Sequence, residues 1–224
     1  MLSSVLIDFL TQVLGSIKYK HPLRLAIDGI DAAGKTILAD EIADALKNKG
    51  RSVIRASIDG FHRPRKERYR RGELSPEGYY NDSFDIEAIK QHLLLPLGPD
   101  GTGEYRTKIF DFRHDSPLVS PAAHASEDSI LLFDGVFLLR PELKDLWDLS
   151  MFVQIDFSVS LQRALDRDLQ LFGSKEEIIR RYEKRYMPGQ RIYLRQAKPQ
   201  RVADIVIDNN DPNNPEIIST RIRI

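Results

Sequence analysis

Residues 23–48 read LRLAIDGIDAAGKTILADEIADALKN. The run LRLAID at 23–28 is short, apolar and strand-like, and it ends at Gly29. Residues 33–48 are helical in pattern: Leu38, Ile42, Ala45 and Leu46 share one face, and Gly50 supplies the stop. Between strand and helix lies GIDAAGKT at 29–36, which fits G-x-x-x-x-G-K-[ST]. That spacing cradles phosphate when it follows a strand and opens a helix. Glycines let successive backbone N–H groups turn around an anion, and the helix N-terminus adds partial positive charge. Lys35 is placed to neutralise the β- and γ-phosphates, and the Thr36 hydroxyl to ligate Mg²⁺. Gly29, Asp31, Ala32, Ala33, Gly34, Lys35 and Thr36 are therefore the candidate nucleotide contacts, with ATP and Mg²⁺ the expected cofactors.

Outward from this unit, strands and helices alternate. Residues 52–58, 105–112, 129–133, 150–157 and 202–208 read as further strands. Helices are expected at 85–95, 158–172 and 175–186. The strands are continuous apolar runs, as expected when both faces of a sheet are covered. The pattern predicts an α/β fold of the P-loop NTPase type, three layers with a mostly parallel sheet of about five strands flanked by helices. Residues 113–128 read as a loop and DNNDPNNP at 208–215 as a turn-rich connection. No linker divides the chain, so residues 1–224 are read as a single domain. Residues 2–17 are apolar at helical spacing and broken by Asp8, Thr11, Gln12 and Ser16, an amphipathic helix expected to pack on the domain.

Two acids stand where strands end. Asp134 closes SILLFD, the position of a carboxylate that binds Mg²⁺ directly or through water. Asp59 closes the second strand in ASIDGFH and would face the γ-phosphate across the sheet's C-terminal edge, placed to take a proton from an attacking hydroxyl. A strand-ending aspartate that merely caps a turn is the competing reading of both.

The order IDGIDAAGKT, SIDGFHRPR, YYNDSFD, KIFDF, LLFDGVFLL and ADIVIDN resembles the uridine kinase family, within the group of P-loop kinases that includes phosphoribulokinase and pantothenate kinase. The resemblance runs from Leu23 to Asn209. It implies phosphoryl transfer from ATP to a primary hydroxyl, most directly the 5′-OH of uridine or cytidine. By position it implies Asp59 as catalytic base and Lys35 and Thr36 on triphosphate and Mg²⁺. Asp134 takes a place where the family commonly has Glu. Phe110 and Phe112 correspond to aromatics that pack on the acceptor base, and Arg163 and Arg167, one turn apart, to arginines preceding a lid over residues 167–191. Arg201 corresponds to a position beside the adenine. Residues 60–113 would build the acceptor site, with His62, Tyr79 and His114 as further candidate contacts.

Three departures keep other acceptors open, among them pantothenate and a sugar phosphate. Gly78, Tyr79 and Tyr80 occupy the stretch where the family carries an acid that grips ribose hydroxyls. The lid reads LQLFGSKEE, without closely spaced arginines. His114 is offset from the family's histidine. The basic run at 63–71 has six cations (Arg63, Arg65, Lys66, Arg68, Arg70, Arg71) and reads either as a solvated face or as a grip on an anionic acceptor. A nucleotide-dependent regulatory ATPase is the alternative from another class.

Composition narrows the field. Lys plus Arg and Asp plus Glu are both 33, so no nucleic-acid or membrane partner is expected; the partner is a small-molecule acceptor, with a homo-oligomer left open. There is no cysteine, which excludes Cys-ligated metals and a Cys nucleophile and is compatible with the cytoplasm. The five histidines show no metal-ligand spacing. No N-K-x-D guanine motif is present, which counts against a GTPase.

Overall fold

Strand β1 (Leu23–Gly29) is buried at every position, because it lies between two neighbours and under helices on both sides. The computed structural model describes residues 4–119 and 121–222. Among these the central sheet has six strands: β1, β2 (Val53–Ser57), β3 (Ile130–Gly135), β4 (Leu149–Gln154), β5 (Ile205–Asp208) and β6 (Glu216–Thr220). Their order is β6-β5-β4-β1-β3-β2, parallel throughout except β6, which runs antiparallel on the edge of β5. The sheet is thus mostly parallel, as the alternating pattern predicts, with six strands against about five expected; β6 is not among the strands the pattern marks.

Side chains alternate across the sheet. Leu25 and Ile27 of β1, Leu132 of β3 and Met151 of β4 face α1 (Ser4–Ser16) and α2 (Lys35–Asn48). Ala26, Phe133 and Phe152 face the other way, toward Phe61, Tyr79 and Phe137. Helix α1 buries Leu6, Leu10, Val13 and Leu14 against α2, while Val5 is exposed; Leu2 lies outside the described residues. No helix among the described residues is long and apolar enough to cross a membrane.

The reading of residues 105–112 as a strand needs correction. Glu104–Tyr105 pairs with Ala123–His124, and Phe110–Asp111 pairs with Ser116–Pro117, forming two small antiparallel ribbons outside the sheet. The segment's backbone partner is a turn: Ile109 N–H donates to the Gly60 carbonyl (2.9 Å). The expected loop at 113–128 therefore carries the second strand of each ribbon.

Past residue 157 the chain forms α4 (Phe157–Arg167), α5 (Lys175–Arg181), a π-turn at Tyr182–Tyr186 and α6 (Met187–Ala197). Helix α6 is invisible to a reading that treats Pro-Gly as a breaker. Pro188 stands in its first turn, where the missing N–H costs nothing. At Gly189 a Cβ would sit 2.9 Å from the Pro76 carbonyl oxygen, so glycine permits close packing on α3 (Pro76–Asp82).

One buried ion pair ties the sheet to its surroundings. Arg24 donates from Nε (2.9 Å) and Nη2 (2.8 Å) to Asp148, whose Oδ2 also accepts the Arg24 backbone N–H. Arg24 Nη1 reaches the Leu94 carbonyl at 3.2 Å. Both side chains are less than a tenth exposed, at 6% and 8%. Removing one partner leaves a buried charge unpaired. Asp148→Ala is expected to lower unfolding free energy by about 3–5 kcal/mol in denaturant titration; a loss under about 1 kcal/mol, the worth of an exposed pair, would contradict this account.

Candidate active site

The loop between β1 and α2 has its acceptors tied down from outside. The Ile30 carbonyl accepts from Lys35 Nζ (2.7 Å) and the Asp31 carbonyl from Ser160 Oγ (2.7 Å). Arg163 Nη1 reaches the Ala32 carbonyl (3.4 Å), and Asn209 Nδ2 the Ala33 carbonyl (2.7 Å). Gly34 has φ 92°, left-handed backbone that glycine adopts freely, and a Cβ there would sit 2.6 Å from Asn209 Nδ2. No side chain caps α2, so its first N–H groups stay available to an anion.

These N–H groups border a cavity of about 490 Å³, a size suited to a small molecule. Ala32, Ala33, Gly34, Lys35, Thr36, Arg163 and Arg167 line it, so most of the predicted nucleotide contacts come together. Burial pushes the Lys35 ammonium below its ordinary pKa, opposed by Asp31, Asp28 and Asp134. Arg163 also donates to the Asn209 (2.7 Å) and Asn210 (3.1 Å) carbonyls. Arg167 donates to Asp168 (2.7 and 3.0 Å) and to the Tyr182 hydroxyl (3.1 Å).

Several expected contacts are elsewhere. Gly29 lies behind the cavity wall, where a Cβ would be 2.4 Å from the Val153 carbonyl oxygen. Asp31 is also behind it: its carboxylate accepts from the Tyr79 hydroxyl (2.9 Å) and from Gln190 Nε2, and burial raises its pKa. Tyr79 is accordingly a core residue, wedged against Phe137 and Tyr186, because its hydroxyl has a buried acceptor in Asp31. Arg201 is exposed on the short helix Pro199–Val202, away from the cavity lining. Asn209, Pro212 and Asn213, from the turn after β5, line the cavity instead. The signal for them was their place just beyond the carboxyl end of a parallel strand.

The site's oxygen donors fit a hard divalent cation. Thr36 Oγ1 donates to Asp134 Oδ2 at 2.7 Å, and the Asp134 side chain is 3% exposed. Among the described residues no group of three or more His, Cys, Asp or Glu is arranged to hold a metal. A hydroxyl and one carboxylate beside a phosphate cradle suit Mg²⁺, which takes few protein ligands and completes its shell with phosphate oxygens and water.

Across the same edge, β2 pairs Ser57 with Asp134, and two residues later Asp59 stands in the 3₁₀ turn Ile58–Phe61. Its side chain is 61% exposed, and its Oδ1 lies 3.9 Å from His62 Nδ1. The His62 ring packs between Phe84 and Phe112, with centroids 4.6 and 5.1 Å away. Phe110, two residues before Phe112, is buried. His114 is not part of it: its ring is 80% exposed and bonds Asp111 (2.6 Å), its neighbour across the ribbon turn.

The basic run is largely engaged within the protein. Arg70 (2.5 Å) and Arg71 (2.7 Å) both bind the buried Asp82 carboxylate. Arg68 binds Asp115 (3.1 Å), and Arg63 Nε donates to the Phe84 carbonyl (3.2 Å). Sequence reasoning missed Gln190 and Tyr193, whose side chains donate to Asp31 and Asp28, and Arg55, which donates to Asp134 (3.0 Å). None of the three stands in a recognisable motif.

Residues 25–214 match the Phosphoribulokinase / Uridine kinase family. The chain belongs to that family. It is 29% identical over 197 residues to uridine-cytidine kinase B of Dictyostelium discoideum, covering 87% of this chain and 77% of that protein. It is 27% identical to a uridine kinase of Geobacillus sp., covering 91% and 95% of the two chains. The solved structure titled as a possible uridine kinase from Bacillus stearothermophilus shares the fold, with TM-score 0.69, 24% identity, and 89% and 96% coverage. The family kinase is a phosphotransferase that uses ATP with Mg²⁺ and acts on a hydroxyl acceptor. A regulatory ATPase is not favoured.

His62 gives this site a pH signature. Burial pushes its pKa below 6.5, against the raising pull of Asp59. As pH falls through about 6.5, the unfolded chain takes up this proton before the folded one does. The stability due to neutral His62 is thus complete above that value and lost below it. Between about pH 7.5 and about pH 5.5 the wild type should lose more thermal stability than His62→Gln. Equal losses would mean that His62 titrates as in the unfolded chain.

Proposed function

We propose that this kinase transfers the γ-phosphoryl group of ATP to the 5′-hydroxyl of uridine or cytidine. The observation that carries this reading is Asp59, held on the sheet's C-terminal edge two residues beyond the Ser57–Asp134 pair and beside the aromatic group of His62, Phe84 and Phe112. A cluster of inclined rings with Phe112 half-buried at its edge, next to an exposed carboxylate, suits a nucleoside, with its base against the rings and its hydroxyl at the acid. The engagement of Arg68, Arg70 and Arg71 with Asp115 and Asp82 favours a neutral acceptor over an anionic one. The relatives' names point the same way.

The geometry supports the following roles within this reading. The N–H groups at the start of α2 and Lys35 hold the triphosphate. Lys35 would leave the Ile30 carbonyl for the phosphates when nucleotide enters. Thr36 and Asp134 would hold Mg²⁺, which neutralises charge on the phosphate oxygens. Asp59 would orient the acceptor hydroxyl and take its proton as the new P–O bond forms and the bond from the γ-phosphorus to the β,γ-bridging oxygen breaks, releasing ADP. Arg163 and Arg167 stabilise charge on the transferred group, and residues 167–191 exclude water.

The test is ADP release with ATP and Mg²⁺ across uridine, cytidine, other nucleosides, pantothenate and ribulose 5-phosphate, with the product mass measured. Uridine or cytidine should give acceptor-dependent turnover. Turnover confined to pantothenate or ribulose 5-phosphate would overturn the nucleoside assignment. Lys35→Ala and Asp59→Asn should each lower kcat by about a hundredfold or more with the melting temperature little changed. Near-normal turnover in either would remove that residue from the mechanism.

A further inference from the structure

The Asp134 carboxylate has two different partners, one on each oxygen. Oδ2 accepts the Thr36 hydroxyl proton at 2.7 Å, and Oδ1 accepts from Arg55 Nη2 at 3.0 Å. Arg55 is itself fixed on three sides. Its Nη1 donates to the Leu132 carbonyl (2.8 Å) and the Ala56 carbonyl (3.3 Å), and its Nε donates to Asp40 of α2 (2.9 Å). The β2–β3 register places Arg55 opposite Leu132, two residues before the Ser57–Asp134 pair, so the guanidinium lies along the strand leading to the carboxylate. The Arg55 side chain is 22% exposed and that of Asp134 only 3%.

A hydroxyl has one proton and two lone pairs. While the Thr36 proton is held by Asp134, the lone pairs turn away from Asp134 and are left for a cation. That direction depends on where Oδ2 stands. The terminal torsion of an aspartate is broad and easily rotated. Fixing Oδ1 on a guanidinium that is anchored to the backbone removes this freedom. We infer that Arg55 is a positioning residue of the divalent-cation site: it orients Asp134, which in turn aims the Thr36 hydroxyl oxygen at the metal of a metal–nucleotide complex. The inference rests on the proposed nucleotide site but not on the identity of the acceptor.

The experiment therefore omits the acceptor. Mn²⁺ serves as probe, and its binding to the protein with ADP is followed by loss of the free Mn²⁺ paramagnetic resonance signal. Metal-free ADP binding and melting temperature are measured alongside. Arg55→Gln should weaken Mn²⁺ binding about tenfold, the scale for residues that orient metal ligands, and leave metal-free ADP binding unchanged. Arg55→Lys, which keeps the charge without the fork, should recover part of the loss. Wild-type Mn²⁺ affinity in Arg55→Gln with a lowered melting temperature would make Arg55 a strut only and overturn the inference. Tighter Mn²⁺ binding would also overturn it, since the guanidinium would then compete with the cation. If Arg55→Gln does not fold, Arg55→Lys decides, and wild-type affinity there overturns the proposal. A panel in which no nucleoside is phosphorylated would leave these outcomes untouched, so the two readings fail separately.

Discussion

A loop that binds phosphate through bare N–H groups must keep those donors pointing inward, so its carbonyls need partners outside. Three consecutive carbonyls, from Asp31 to Ala33, have them in Ser160, Arg163 and Asn209, while the Ile30 carbonyl accepts from Lys35 at the start of α2. These partners come from α2, α4 and the turn after β5, so the loop's shape is a property of several elements rather than of its own residues. Left-handed backbone at Ala32 (φ 58°) and Gly34 (φ 92°) fits this arrangement. Conformations of that kind persist where surrounding structure over-determines them.

The same demand explains the buried acids behind the loop. Asp28 accepts from Tyr193, from Gly29 N–H (2.8 Å) and from Leu138 N–H (3.4 Å), and burial raises its pKa. Asp31 draws Tyr79 of α3 and Gln190 of α6 onto the loop. Buried carboxylates are costly alone and tolerable when hydrogen-bonded. The donors to Asp31 come from the region expected to hold the acceptor and from the segment expected to close over it. The nucleotide loop is thereby joined to both through direct contacts.

Charge around the acceptor side is arranged for structure first. Asp82 is buried, and Arg70 and Arg71 compensate it from the surface. Arg185 donates to the carbonyls of Glu73, Ser75 and Arg68, holding the basic segment against the π-turn after α5. A run of cations that looks like a binding patch in sequence becomes a set of braces when its partners, scattered between positions 82 and 185, are brought beside it.

The sequence determined the parts whose cause is local. The G-x-x-x-x-G-K-T spacing, the apolar runs ending in Asp59 and Asp134, and the alternation of strand and helix fixed the nucleotide loop, the parallel sheet and the edge on which the site lies. Each depends on residues close in the chain or on burial on both faces, and periodicity records both. What needed the tertiary structure was every role set by a distant partner. Tyr79 is a core residue because Asp31 lies under its hydroxyl, and Asn209 lines the cavity because the turn after β5 reaches the loop. Residues 105–112 lie outside the sheet because their backbone finds its partners in two short ribbons, at His92 and at Gly60, and Arg55 was drawn to Asp134 by strand register. Hydrogen bonds and ion pairs between residues tens of positions apart leave no period in a single sequence, so only the folded chain shows which polar side chains meet.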